Sequence, residues 1–177
     1  VSYQTAYLKA NYPVEFLAAS MALDAGNTEK LAVFRQECQQ KNIGVLPPDI
    51  NKSSSGFGVE EVLSDEGETE LAVRYALSAV KNVGAEAMCR LTEIRKADGA
   101  FTSLKDFLQR LPREVVNRRQ MENLGRAGAL DNIHGNRREL IENMDLILSH
   151  ADAMRREAES EQVSMFGGDS DVIDDSI

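Results

Sequence analysis

The stretch LSAVKNVGAEA, residues 77–87, constrains the fold most, because helix-forming residues stop and resume within it. Lys81-Asn82-Val83-Gly84 separates two helix-forming runs with no linker. Asn and Gly tolerate backbone angles that other residues avoid, so we expect a tight hairpin between two helices. The free N–H groups of the second helix would point outward, where they suit a phosphate oxygen. The segment therefore predicts a helix-hairpin-helix unit that contacts a DNA backbone, with Lys81 adding charge.

A second unit of the same kind is predicted around Asn117. Asn117 stands three residues before Gln120, a pattern typical of a helix start, and arginines cluster near it. Two hairpins side by side could follow both backbones of a duplex. The alternative is two ordinary helical corners with solvated arginines. The predicted DNA-binding residues are Lys81, Asn82, Val83, Gly84, Asn117, Arg118, Arg119 and Arg126.

Charge is distributed unevenly along the chain. The net charge is −9, yet residues 74–138 carry 13 Lys and Arg against 7 Asp and Glu. The segments before and after them are acidic, with net charges of −6 and −9. A basic middle between acidic ends favours an anionic partner for the middle alone. The alternative is that these basic side chains only solvate exposed helix faces.

Start and stop signals predict a mainly α fold with a small β-hairpin insertion. Pro13 and Asn27-Thr28 start two helices, and in the second Leu31, Phe34 and Cys38 share one face. Residues 71–75 are predicted to pair with residues 57–59. Further helix starts are expected at Ser103 with Asp106, at Asn117, and at Asn136 with Glu139. The predicted segments are helices at 1–44, an extended β-hairpin segment at 45–75, tandem hairpins at 76–138, a last helix at 139–160 and a flexible, disordered acidic tail at 161–177.

Catalytic, metal and membrane roles find no support in the residue pattern. No run approaches the roughly 20 apolar residues of a membrane span, and the first residues have no signal-peptide pattern, so a cytoplasmic protein is predicted. Cys38 and Cys89 lack metal-ligand spacing. No set of Asp and Glu has a spacing that suits a two-metal site. We therefore predict no catalytic or metal-binding residue and no cofactor in this chain.

Five motifs together resemble one family. They are SYQTAYLKANYPVEFLAA, VLPPDINKS, YALSAVKNVG, FTSLKDF and VNRRQMENLGRAGALDNIHGNRREL. In order and spacing they resemble the fingers region of the bacterial replicative polymerases, the DNA polymerase III alpha subunits, over residues 1–168. Two positions depart from the family pattern: Asn82 stands where many helix-hairpin-helix units carry glycine, and Gly125 interrupts a helix.

The resemblance implies a division of labour. Catalytic aspartates and their Mg²⁺ would lie in a palm domain, so this segment would not polymerise nucleotides by itself. Residues 1–44 would end the fingers, and the tandem hairpins would hold duplex DNA without reading its sequence. Gln162-Val163-Ser164-Met165-Phe166 resembles the family's sliding-clamp-binding motif, with Gln162, Met165 and Phe166 as the contacting residues. Other subunits of the polymerase holoenzyme are implied partners, as is association with the nucleoid during replication.

Two other classes of protein remain open at this point. A repair nuclease or ligase could use the same hairpins, but it would not predict YQTAYLKA or the clamp motif. A helical interaction protein with no DNA role would show no binding that weakens with salt, whereas phosphate contacts weaken steeply.

Overall fold

Helices dominate the described part of the chain, which comprises residues 2–64, 66–115 and 117–166 of the computed structural model. The prediction of a mainly α fold with a small β-hairpin is confirmed. The helices are α1 (Ser2–Asn11), α2 (Pro13–Leu23), α3 (Thr28–Gln40), α4 (Ala85–Asp98), α5 (Leu104–Arg110), α6 (Arg118–Ala127), α7 (Arg137–Glu142) and α8 (Met144–Phe166). The strands are β1 (Val45–Leu46), β2 (Gly58–Leu63) and β3 (Thr69–Arg74), and a 3-10 turn spans Leu77–Ala79.

A first hydrophobic core lies between α2, α3 and the sheet. Asn27 caps α3 as predicted, because its side-chain oxygen accepts a hydrogen bond from Lys30 N at 3.1 Å. The predicted inward face of α3 is also confirmed, with Leu31 and Cys38 buried and Phe34 packed against them. The buried residues of this core are Val14, Leu17, Ala18, Met21, Leu31, Cys38 and Val73.

The sheet contains the predicted hairpin and one further strand. β2 and β3 pair antiparallel, with Gly58 opposite Arg74 and Val59 opposite Val73, as expected. The short strand β1 pairs parallel with β3 on its other side, giving the order β1-β3-β2. Two residues show no strand periodicity, which explains why the sequence did not predict β1. The guanidinium of Arg74 binds both carboxylate oxygens of Glu60, at 2.6 and 2.7 Å.

A second and larger core lies among α4 to α8. The predicted helix starts at Ser103, Asn117 and Asn136 are confirmed, since each side-chain oxygen accepts from the backbone N–H three residues on. The acid of the first motif, Asp106, reaches the N–H of Thr102 at 3.0 Å instead of the N–H of Ser103. The largest fully buried side chains of this core belong to Ile50, Leu77, Met88, Leu91, Phe107, Leu111, Met121, Leu124, Leu130 and Leu140.

The C-terminal helices differ from the prediction in two ways. One helix was expected from Asn136 to residue 160, whereas α7 ends before Asn143 and α8 begins at Met144. The Asn143 side chain donates to the carbonyl of Glu139 at 3.0 Å, and such local bonds compete with helix continuation. In addition, α8 runs to Phe166, six residues further than expected. No Gly or Pro interrupts residues 144–166, which accounts for the longer helix. Residues 167–177 of the predicted tail lie outside the described residues.

The loop that carries LPPDIN joins the two cores. Ile50 belongs to the second core, although β1 just before it belongs to the sheet. The amide of Asn51 makes two hydrogen bonds of 2.8 Å with the backbone of Phe101, fifty residues away. Arg95 of α4 donates to the carbonyls of Ile50 and Ser53, at 2.5 and 2.7 Å. The loop therefore fixes the second core, which contains the predicted helical hairpins, to the first core.

Candidate nucleic-acid interface

The first predicted hairpin is a tight turn that leads directly into α4. Asn82 has a φ of +64°, so it is the residue of this turn that adopts left-handed backbone. Val83 is only 8% exposed and anchors the turn in the second core. Before the turn, the chain forms a 3-10 turn at Leu77–Ala79 where the sequence predicted a helix. The short first element leaves Lys81 and Asn82 exposed at the surface.

Gly84 starts α4 without a side-chain cap. Its φ and ψ of −76° and 133° are ordinary extended values, and the backbone N–H groups of the first turn receive no side-chain hydrogen bond. An added Cβ would meet Gln120 Nε2 at 3.4 Å and Ala87 Cβ at 3.9 Å, both ordinary contacts. Neither the backbone angles nor the packing within the protein therefore requires glycine at this position. Uncapped N–H groups with no Cβ in front of them are open to an external acceptor.

The second predicted unit starts at Asn117, whose side chain caps α6 by accepting from Gln120 N at 2.9 Å. Two of its predicted DNA-binding arginines are already paired with carboxylates of the chain. Arg118 pairs with Glu122 at 2.8 Å and with Asp145 of α8, and these hydrogen bonds raise the pKa of Arg118. Arg126 also pairs with Glu122, at 3.4 Å. Carboxylates thus already balance the charges of these two predicted DNA contacts.

The two units meet side by side at a seam formed by four residues. Arg119 donates to the side-chain oxygen of Asn82, and Gln120 lies against Gly84. Gln120 is 8% exposed, and its Oε1 has no hydrogen-bond partner. The start of α6 is thereby brought to the start of α4. The sequence predicted both units but not this seam, since no local pattern links residues 37 positions apart.

Arg90 is a basic residue at this site that sequence reasoning missed. It lines a cavity of about 550 Å³ together with Gly84 and Gln120. Glu86 and Glu114 line the same cavity, so its charge is mixed. Among the described residues, neither Arg90 nor Lys81 forms an ion pair. These two cations are therefore less compensated than Arg118 and Arg126.

The predicted clamp-binding motif lies at the end of α8. The backbone of Gln162, Met165 and Phe166 is helical. The structure describes side chains only as far as residue 157, before this motif. Within residues 2–64, 66–115 and 117–166, no three His, Cys, Asp or Glu side chains form a group suited to a metal ion. The Mg²⁺ implied by the resemblance has no fitting ligand set in that part of the chain. No helix in the described residues is both long and apolar enough to cross a membrane.

Two hairpins joined at a seam are the geometry of a helix-hairpin-helix protein. A family model described as a helix-hairpin-helix motif matches residues 42–140, and the chain belongs to that family.

Within that class, the chain is similar over nearly its whole length to one segment of DNA polymerase III subunit alpha. The relative from Caulobacter vibrioides is 46% identical over 169 residues, which cover 96% of this chain and 14% of that protein. The relative from Neisseria meningitidis strain Z2491 is 41% identical over all of this chain and 14% of its own length. The relative from Thermus aquaticus is 42% identical over 94% of this chain and 13% of its own length. The resemblance drawn from the motifs is confirmed, and the chain spans about one seventh of the length of these relatives.

Proposed function

We propose that this chain is the part of a replicative DNA polymerase that holds duplex DNA by its backbone and ties the enzyme to its sliding clamp. The intact polymerase would carry out DNA-templated synthesis with Mg²⁺ held elsewhere. The observation that supports DNA binding most directly is the seam, which brings the uncapped start of α4 and the start of α6 to one face.

The chemical groups on this face suit contact with the phosphates of a DNA backbone. Unpaired N–H groups at a helix start and a nearby Lys81 suit a phosphate oxygen, and neither reads a base. Arg119 and Asn82 hold the second unit at a fixed place beside the first. Since affinity would come from phosphates, binding should fall steeply with salt and depend little on DNA sequence.

Gly84 provides a test in which folding and binding change in opposite directions. At a helix N-cap, Asp stabilises the helix relative to glycine by about a few tenths of a kcal/mol. The same carboxylate would repel a phosphate at that start. We expect Gly84→Asp to weaken duplex binding at least tenfold, equally for two unrelated sequences, without lowering the thermal midpoint.

Gly84→Ala is the matched control, because a Cβ at Gly84 makes only ordinary contacts. Its fold should be unchanged, and its affinity should lie between those of the wild type and Gly84→Asp. Titration of labelled duplexes at several salt concentrations gives all of these quantities. Equal affinity of the wild type and Gly84→Asp would refute the assignment of the α4 start, and so would a loss confined to one DNA sequence.

Clamp tethering is the second part of the proposal. It rests on Gln162-Val163-Ser164-Met165-Phe166, in which a polar residue precedes two large apolar ones at the end of an acidic helix. A short linear motif of this kind suits an apolar cleft on a partner. The double variant Gln162→Ala with Phe166→Ala should lose micromolar binding to a bacterial sliding clamp. Ser164→Ala, inside the same motif, should keep it, and unchanged binding by the double variant would refute the motif.

The chain alone should not extend a primer. Incubation with primed template, nucleotides and Mg²⁺ tests this, with an intact alpha subunit as positive control. Extension by the purified chain would contradict the proposal that the catalytic carboxylates lie elsewhere.

A further inference from the structure

A second concave surface lies beside the first hairpin, between the two cores. It is a cavity of about 510 Å³ bounded by α3, by the residues after β1, by Tyr75 and by the end of α6. Leu31, Leu46 and Pro47 contribute apolar walls, and Ala127 closes one side. A volume of this size falls within the range of small-ligand sites.

The charge of this cavity is of one sign. Arg35 and Lys81 line it, and no Asp or Glu is among its lining residues. In the described part of the chain, neither cation takes part in an ion pair. The cavity therefore complements a ligand that combines a flat apolar part with negative charge.

The cavity also continues into a groove. A neighbouring cavity of about 340 Å³ shares Leu31, Arg35 and Tyr75 with it and extends along α3 to Gln36 and Gln39. Tyr75 is held in place by an edge contact with Phe57, at 4.9 Å between ring centroids. An aromatic ring beside a cationic groove is the arrangement on which bases of single strands stack.

We propose that this groove binds an unpaired nucleotide of a DNA strand, with its base against Tyr75 and Leu46 and its phosphates at Arg35 and Lys81. The inference rests on the proposed function, because Lys81 belongs both to the groove and to the hairpin that would hold the duplex. A strand leaving the duplex at the hairpin would enter the groove directly. This continuity favours a nucleotide over an acidic peptide.

The test compares a blunt duplex with the same duplex carrying a single-stranded extension of three nucleotides, placed in turn at the 5′ and the 3′ end. One of the extensions should raise the affinity of the wild-type chain at least fivefold. An extension of abasic sites, which keeps the phosphates and lacks the bases, should give less than half of that gain. Fluorescence anisotropy at one salt concentration measures each affinity.

Two variants assign the gain to the groove. Ala127→Leu fills the cavity without changing charge, and Arg35→Gln removes one of its cations. Both should lose the preference for the extension and keep wild-type affinity for the blunt duplex. Lys105→Gln removes an exposed cation on α5 that does not line the cavity, and it should keep the preference.

Several outcomes would overturn the inference. Equal affinity for blunt and extended duplexes would do so, as would a preference that survives in Ala127→Leu. Displacement of the extension by a glutamate-tyrosine copolymer but not by oligothymidylate would indicate a peptide groove instead. Failure of the wild type to bind the blunt duplex would count against the hairpins, and the groove would still be tested by binding of the single strand.

Discussion

Replacing Asn51 with alanine should destabilise the chain, because its amide is one of the contacts that fix the LPPDIN loop to the second core. Its Oδ1 accepts from the N–H of Phe101 and its Nδ2 donates to the carbonyl of Phe101, each at 2.8 Å. Phe101 is 2% exposed, so water cannot replace the lost partners easily. Each buried group left without a partner costs about 1–3 kcal/mol, and we expect a total loss of about 2–3 kcal/mol. For a chain of this size, such a loss lowers Tm by about 4–12 °C.

Urea unfolding at pH 7, followed by circular dichroism, measures this loss. The dependence of the unfolding free energy on urea should keep its slope, because the surface exposed on unfolding is unchanged. Asn11→Ala is the control: Asn11 is exposed, and its side chain bonds only to Tyr7 O within its own helix, at 2.9 Å. Its effect should stay within about 0.5 kcal/mol. A loss for Asn51→Ala as small as that of the control would refute the role of the loop as a joint.

Three further changes test other parts of the structure. Gly125→Ala should lower the unfolding free energy by about 1 kcal/mol despite the better helix propensity of alanine, because its Cβ would lie 3.0 Å from the Cδ2 atom of the buried Leu140; a gain in urea unfolding would contradict this. Glu60→Gln should cost about 1 kcal/mol at pH 7, since the hydrogen bond from Arg74 lowers the pKa of Glu60. A lowered folded pKa gives stability above about pH 4 that is lost as pH falls, so the difference between variant and wild type should shrink towards pH 3, and a constant difference would contradict the sign. Arg119→Lys should weaken duplex binding about as much as Arg119→Ala if the side chain acts by holding the first hairpin, whereas a lysine that keeps wild-type affinity would indicate a direct phosphate contact.

Local signals in the sequence predicted the elements well. Asn27, Ser103, Asn117 and Asn136 each mark a helix start, because a short polar side chain accepts from an N–H three residues on. The β-hairpin was predictable from strand-forming residues on either side of an acidic turn. These interactions join residues close in sequence, so the pattern carries them.

Contacts between distant segments were not predictable. The second carboxylate that pairs with Arg118 belongs to Asp145, twenty-seven residues away on α8. Gly125 was read as a weak point of a helix, and the structure gives a packing reason, since the side chain of Leu140 occupies the space beside it. Asn82 was noted as a departure from glycine, and the structure gives its amide a partner in Arg119. In each case the reason lies in a residue that no local period points to.

The length of α8 has a geometric consequence. Among the described side chains of this helix, Arg155 anchors it to another element by donating to the carbonyls of Leu108 and Leu111 at 2.7 and 2.8 Å, and the helix continues to Phe166. At 1.5 Å per residue, the end of the helix lies about 16 Å along the helix axis from that anchor. In the proposed clamp contact, the helix would act as a spacer of set length and rotational phase. Inserting four residues after position 157 would move the motif outward by about 6 Å and nearly preserve its facing, whereas inserting two would turn it to about the opposite side.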